Sequence, residues 1–206
     1  MTGLFVTFEG GDGVGKTTQA ALLEQWLTDA GREVVRTREP GGTEVGERIR
    51  DIVLHHRGHV DPRAEALLYA ADRAHHIATV VRPALERGAV VIQDRYLDSS
   101  VAYQGAGRVL NATEVRDLSL WAVQGLLPDV TVLLDLDEAS ARRRLDADDK
   151  PFDRLEAEKD EFHARVRAAF LALADAEPQR FLVVDATQSV EQIAGLIRAR
   201  VAERLG

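Results

Sequence analysis

The chain has 206 residues, 45% hydrophobic and 29% charged, with a formal net charge of −8 and no cysteine. This composition fits an ordinary folded domain with a sizeable core, and it excludes disulfides and thiolate metal sites. The acidic balance argues against a broad nucleic-acid surface, whose phosphates need basic partners. No apolar run approaches membrane-spanning length and no basic-then-apolar leader opens the chain. The expectation is therefore one cytoplasmic domain over 1–206, with neither membrane nor nucleic acid as partner.

In chain order, Leu4–Phe8 reads as a strand, followed by the run GGDGVGKTT from Gly10 to Thr18. Ala20, Leu23, Trp26, Leu27 and Ala30 then repeat at helical spacing, with Gly31 as a stop. Strand, loop and helix together match G-x-x-x-x-G-K-[ST]. Gly10, Gly11, Asp12, Gly13, Val14, Gly15, Lys16, Thr17 and Thr18 are thus candidates for cradling nucleotide phosphates. Glycines turn backbone N–H groups inward and the helix N-terminus adds partial positive charge. Lys16 suits the β- and γ-phosphates, and the Thr17 hydroxyl suits a Mg²⁺ shell. The competing interpretation is a glycine-rich turn without a ligand. Against it, the chain has only three lysines, Lys16, Lys150 and Lys159, and the first of them stands where such a loop needs one.

Five short apolar runs recur: Leu4–Phe8, Glu33–Arg36, Ala89–Gln93, Val130–Leu134 and Phe181–Val184. Their alternation with helical segments predicts a three-layer α/β/α domain on a five-stranded parallel sheet, its strands buried on both faces. Ligands in such sheets lie at the strands' carboxyl ends. The second run leads into TREPGGT, Thr37 to Thr43, where Pro-Gly-Gly explains a turn but not Arg38 and Glu39 beside it. In the helical region Asp61 to Arg87, Leu67, Leu68, Ala71 and Ile77 are placed toward the core. Tyr69, Asp72, Arg73 and His76 share another face, for which solvation is the commoner explanation and a ligand the alternative. His55, His56 and His59 surround Gly58 without an adjacent carboxylate, so solvent exposure is favoured over a metal.

The third run opens QDRYLDSSVAYQGAGR, Gln93 to Arg108. Asp94 at a strand end suits a Mg²⁺ or water contact, Arg95 suits phosphate, and Ser99, Ser100, Tyr103 and Gln104 add neutral hydrogen-bonding groups. A helix cap with its ion-pair partner is the plainer reading of Asp94 and Arg95. Asn111 caps a helix start, with Val115, Leu118, Trp121 and Ala122 as an apolar stripe that suits core or a dimer interface. Past the fourth run, Arg142-Arg143-Arg144 precedes an acidic stretch, Asp146 to Asp153. This reads equally as a lid over phosphates, spanning about 142–154, or as a solvated helix end. Asp153 and Glu156 are placed to box a helix whose apolar side carries Leu155, Phe162, Val166, Phe170 and Leu173. Asp185 to Ser189 reads as a turn and a helix start.

FEGGDGVGKTTQ, TREPGGT, LLYAADRA, QDRYLDSSVAYQG and DRLE occur here in the order and spacing of the bacterial thymidylate kinases, which the chain resembles over nearly its whole length. The resemblance implies a P-loop kinase fold with a lid, and transfer of the γ-phosphoryl of ATP, with Mg²⁺, to dTMP by a homodimer. It implies Glu9, Asp12, Thr17 and Asp94 near the metal, directly or through water, and Arg38 and Arg95 on the acceptor phosphate. Tyr69 falls where the family usually has a phenylalanine stacked on thymine. Arg73, Ser100 and Gln104 fall at polar base and sugar positions, and Tyr103 where a ring crowds the sugar. No arginine lies within the loop itself, so a lid cation is expected to meet the charge of the transition state. If Ala141 and Leu145 mark the packed face of their helix, Arg143 points away from it, which makes Arg143 and Arg154 the candidates. The alternatives are another nucleoside monophosphate or deoxynucleoside kinase, an inactive nucleotide-binding module, and a GTPase-like switch. The switch lacks its guanine motif, because the sole asparagine, Asn111, is followed by alanine.

Overall fold

The computed structural model describes residues 3–107, 110–146, 153–156 and 158–206. Five strands, β1 (Leu4–Glu9), β2 (Val34–Arg38), β3 (Val90–Asp94), β4 (Val130–Asp135) and β5 (Phe181–Asp185), form one parallel sheet in the order β2-β3-β1-β4-β5. Each ends on a charged residue, one or two positions beyond its apolar run, because the ladder continues to pairs such as Arg38 with Asp94 and Asp135 with Asp185. The register sets Phe8, Arg38 and Asp94 level with one another. The carboxyl edge of the sheet is thereby a row of polar groups.

Period-two alternation splits β1 between two cores. Leu4, Val6 and Phe8 pack with Leu23 and Leu27 of α1 (Lys16–Asp29) and Ile193 and Ile197 of α9 (Val190–Leu205). Phe5 packs on the opposite face with Ile77, Val81, Tyr96 and Leu97. The central strands are buried on both faces as expected. β2 and β5 are not: they are edge strands with one ladder neighbour each, and Val183 is half exposed.

The remaining helices are α2 (Glu44–His55), α3 (Pro62–His76), α4 (Arg82–Glu86), α5 (Leu97–Ser100), α6 (Ala112–Ala122), α7 (Glu138–Asp146) and α8 (Asp160–Ala176). α3 and α4 are bridged by a π-helical turn, Ile77–Val81. Pro83 follows directly and cannot donate a backbone N–H, which accounts for the widened turn before it. A second π-helical turn, Val101–Gly107, carries Tyr103 and Gln104. α2 carries no expectation from the sequence, although Thr43 caps it by accepting from the Gly46 N–H at 2.8 Å.

Three expectations are corrected. On α3 the polar face is the buried one: Tyr69, Asp72, Arg73 and His76 are buried, while Leu67 is 57% exposed, Leu68 is partly buried and Ile77 is buried as expected. The stripe on α6 divides likewise, Val115 and Ala122 inward and Trp121 78% exposed. Asp153 and Glu156 do box a turn, with the Leu155 and Glu156 N–H groups on Asp153 and the Asp153 N–H on Glu156. That turn is not the start of α8, which begins at Asp160. Of the expected lid, residues 147–152 lie outside the described residues. His55, His56 and His59 are solvent-exposed.

Candidate active site

The loop between β1 and α1 owes its shape to backbone that other residues rarely adopt. Gly10 has φ 127, and a Cβ there would lie 2.4 Å from the Leu134 carbonyl oxygen. Gly15 has φ 100 and starts α1 without a side-chain cap, leaving the first N–H groups of the helix for a ligand. Lys16 folds back over the loop, its Nζ donating to the Gly11 carbonyl at 2.5 Å and the Gly10 carbonyl at 3.3 Å. Burial, then Arg95, hold its ammonium below the usual lysine range. Gly13 sits against α7, with Ala141 and Leu145 at 3.0 Å from a Cβ built on it, so these two residues do mark the packed face of that helix.

Facing the loop is a cleft of about 530 Å³, lined by residues from the loop, the ends of β2 and β3, α3, the 101–107 turn and the lid turn. At its centre Arg95 donates to the Gly10 carbonyl at 3.0 Å, to Ser99 Oγ at 3.1 Å, to Tyr103 OH at 3.2 Å and to the Asp12 carboxylate. The Tyr103 hydroxyl also donates to Asp12, at 3.2 Å, and the guanidinium lies 5.0 Å from the Tyr103 ring centroid. Burial pushes Asp12 up, but Arg95 and Lys16 outweigh it and hold its carboxyl below the usual range. Burial likewise opposes the charge on Arg95, and Asp12 overrides it.

Farther from the loop, Arg73 is buried and fixed on every side. It donates to Glu39 at 2.7 Å, Ser119 Oγ at 3.2 Å, the Tyr96 carbonyl at 3.2 Å and Ser100 Oγ at 3.1 Å. Glu39 also accepts from His76 Nδ1 at 2.9 Å, and His76 Nε2 lies 2.6 Å from Thr37 Oγ1. Gln104 donates to Glu65 at 2.9 Å, and Glu65 pairs with Arg154. Tyr69, Arg73, Ser100, Tyr103 and Gln104 therefore share one wall of the cleft.

The donor set fits a magnesium ion. Thr17 Oγ1 lies 3.5 Å from Asp94 Oδ2, and Asp94 Oδ1 is buried with no hydrogen-bond partner. An orphaned carboxylate oxygen beside a hydroxyl is hard-oxygen chemistry, and Mg²⁺ needs few protein ligands when substrate phosphates and water supply the rest.

Not every candidate lies on the cleft. Glu9 is fully buried beneath the loop, with both carboxylate oxygens bonded to Tyr96 N–H and Ser99. Arg38 lines the cleft but pairs with Glu47 at 2.9 Å in solvent. Arg143 is exposed and donates to Ser140 Oγ at 2.8 Å. Arg154 donates to the Val53 carbonyl at 2.9 Å and to Glu65, away from the lining. Arg144 does line the cleft, donating to the Ala186 carbonyl at 2.8 Å. Arg50 also lines it, held by the Pro40 carbonyl at 3.0 Å. The sequence reading missed Arg50 because α2 has no signature motif, and the buried roles of Glu39 and Glu65 because their partners lie tens of residues away.

A glycine loop closing onto a helix N-terminus at the carboxyl edge of a parallel sheet, with hydrogen-bonded arginines lining the cleft beside it, defines a P-loop phosphotransferase. The family model for thymidylate kinase matches residues 8–197. Among curated relatives, the thymidylate kinase of Clavibacter sepedonicus is 74% identical over 200 residues, covering 97% of this chain and 95% of its own. That of Leifsonia xyli subsp. xyli is 74% identical over 203 residues, covering 98% and 96%. That of Deinococcus radiodurans is 52% identical over 202 residues, covering 98% of each. The chain belongs to the thymidylate kinase family.

Proposed function

We propose that the chain transfers the γ-phosphoryl group of ATP to the 5′-phosphate of dTMP, giving dTDP and ADP for dTTP synthesis. The family assignment carries the reaction class. The observation that carries the site is the phosphate loop with Arg95 held against its Gly10 carbonyl and Asp12, on a cleft also lined by Tyr69, Arg73 and Gln104. An oxygen of the acceptor phosphate attacks the γ-phosphorus in line, and the bond to the bridging β–γ oxygen breaks with ADP as leaving group. Gly10 to Thr18 bind ATP and Lys16 supplies charge to the β- and γ-phosphates. Thr17 and Asp94, with Asp12 behind them, would hold Mg²⁺, which when bound neutralises charge on those phosphates.

Arg95 and Arg38 hold the acceptor phosphate, the first already aimed by its four partners. Tyr69 stacks on the base, Arg73, Ser100 and Gln104 offer polar contacts, and the Tyr103 ring crowds the sugar against a 2′-hydroxyl. Charge developing on the transferred group is met by Lys16 and a lid arginine. Arg143 and Arg154 are candidates from the sequence, and Arg144, already on the cleft wall, joins them. α3 packs on both α2 and α6, and together they expose Val45, Ile52, Leu67 and Trp121. We read that face as the seat of a second copy in a homodimer. We also read the chain as one domain with a lid near 142–154, acting in the cytoplasm. Among the described residues no helix is long and apolar enough to cross a membrane.

The test is a coupled ADP-release assay with ATP-Mg²⁺ against a panel of nucleoside monophosphates. dTMP should be the best acceptor, dUMP next, and dCMP, dGMP and ribonucleotides far behind. Purine monophosphates as the better acceptors would overturn the assignment.

A further inference from the structure

Arg95 has φ 63, a left-handed backbone that, among the described non-glycine residues, only the surface residue Gln124 shares. For an L-residue this costs about 1–2 kcal/mol and persists only where the surroundings impose it. Here they do so at both backbone polar groups of Arg95 and at the N–H that follows. The Arg95 N–H donates to the Phe8 carbonyl at 2.9 Å, and the Arg95 carbonyl accepts from Gln93 Nε2 at 3.0 Å. The next N–H, that of Tyr96, donates to Glu9 Oε1 at 2.8 Å. The other Glu9 oxygen accepts from Ser99 Oγ at 2.5 Å, and Ser99 Oγ in turn accepts from Arg95 Nη1 at 3.1 Å. Glu9 thus touches Arg95 by two routes, one through the backbone and one through the guanidinium.

A carboxylate at that position is costly. It is fully buried, off the cleft wall, and near a second carboxylate, Asp98, that is itself neutralised by Arg180 at 2.6 and 2.9 Å. A side chain buried there, with both oxygens spent on the Arg95 turn, has a role in holding that turn.

We propose that Glu9 is a positioning residue for the acceptor phosphate, acting through the Tyr96 N–H and Ser99 to keep Arg95 left-handed with its guanidinium aimed at the cleft, and that it is not a Mg²⁺ ligand. The inference rests on Arg95 holding the acceptor phosphate. It replaces the metal-side role that the family resemblance suggests for Glu9.

The two roles make opposite demands on the side chain. Holding the turn requires an acceptor at full glutamate reach, which Glu9→Gln keeps and Glu9→Asp withdraws. Binding a metal requires charge, which Glu9→Asp keeps and Glu9→Gln removes. Full-length wild type, Glu9→Gln, Glu9→Asp, Ser99→Ala and Arg95→Ala are compared by steady-state kinetics, varying dTMP, ATP and Mg²⁺ in turn. Glu9→Asp should lower kcat/KM for dTMP by about tenfold or more, as loss of positioning does, and Glu9→Gln by less than about threefold. Ser99→Ala should fall between them. The ATP KM and the half-activating Mg²⁺ concentration should stay near wild type throughout. A residue serving only the fold would scale kcat with the active fraction and leave the dTMP KM unmoved.

The proposal is overturned if Glu9→Gln is the worse variant and shifts the Mg²⁺ requirement. It is also overturned if neither Glu9 variant nor Ser99→Ala alters dTMP kinetics while Arg95→Ala does. If Arg95→Ala itself leaves the dTMP KM unchanged, the acceptor role of Arg95 fails and this inference with it. Should Glu9→Asp not fold, Ser99→Ala and Glu9→Gln still give a decisive order.

Discussion

Arg73, buried, and Arg95, partly buried, reach the cleft with four hydrogen-bonded partners each, whereas Arg38 and Arg144 reach it from solvent. Arg38 is held by one exposed ion pair and Arg144 by backbone carbonyls. The contrast follows from desolvation. A guanidinium taken out of water must find partners for its donors, so its direction is fixed before any substrate arrives. An exposed ion pair contributes little and is easily exchanged for a phosphate. The fixed pair therefore defines where the acceptor nucleotide lies. The exposed pair is free to turn onto phosphate once it arrives.

The largest expected effect tests the fixed set at its loop end. Lys16→Ala should lower kcat by about 10²–10³-fold, the usual cost of one preorganised charge-stabilising donor. Single-turnover and steady-state rates on the folded variant check this. Near-normal turnover would mean that the buried cation on the Gly10 and Gly11 carbonyls is structural.

The second prediction concerns Asp72, which underpins the buried wall by accepting from the Gly41 N–H at 3.2 Å while its other oxygen lacks a partner. Burial, then Glu39, raise its carboxyl from 3.8 to about 6. Between these values the folded chain binds more protons than the unfolded one. Stability therefore falls as pH rises through the window and is level above it. Asp72→Asn keeps the acceptor and abolishes the slope. Relative to wild type it should gain up to about 3 kcal/mol between pH 4 and 7, at about 1.36 per unit. Denaturant melts of both proteins across that range read the difference. A parallel pH course would show that folding leaves the Asp72 carboxyl unshifted.

Tyr69→Ala sharpens the comparison from the base side. It should raise the KM for dTMP by an amount equivalent to about 1–3 kcal/mol, the value of one stacked base, with a smaller change in kcat. An unchanged KM would remove Tyr69 from the base site.

The smallest effect belongs to the arginines of the segment proposed as a lid. Among Arg143, Arg144 and Arg154, alanine at the true transition-state cation should lower kcat more than it raises either KM. The loss should be at least about tenfold, or about 1.4 kcal/mol. Arg142→Ala and Lys150→Ala complete the series. If none of the five reaches tenfold, Lys16 and Mg²⁺ carry that charge alone.

What could be read in the sequence is what is local. The loop from Gly10 to Thr18 is set by consecutive residues, the strands by apolar runs, and the caps at Asn111 and Ser189 by side chains reaching two or three residues on. The misreadings share another cause. Leu67 reads as inward because periodicity assumes that apolar means core, and periodicity leaves Trp121 open between core and interface. For Tyr69, Asp72, Arg73 and His76 it favours solvent over a ligand because polar residues are usually solvated. Nothing near them in the chain shows that Glu39 lies 34 residues from Arg73, or Ser119 46 residues away, to satisfy a buried guanidinium.

By itself, then, the sequence determined a nucleotide-binding loop on a parallel α/β sheet, since those elements depend on neighbours in the chain. The tertiary structure decided which charges are buried and which way they point. It set both Glu9 oxygens on the Arg95 turn and placed Arg144 on the cleft wall. It also turned Leu67 of α3 and Trp121 of α6 outward. Burying a charge is tolerable only when partners converge on it, and that convergence exists only once distant segments have packed together.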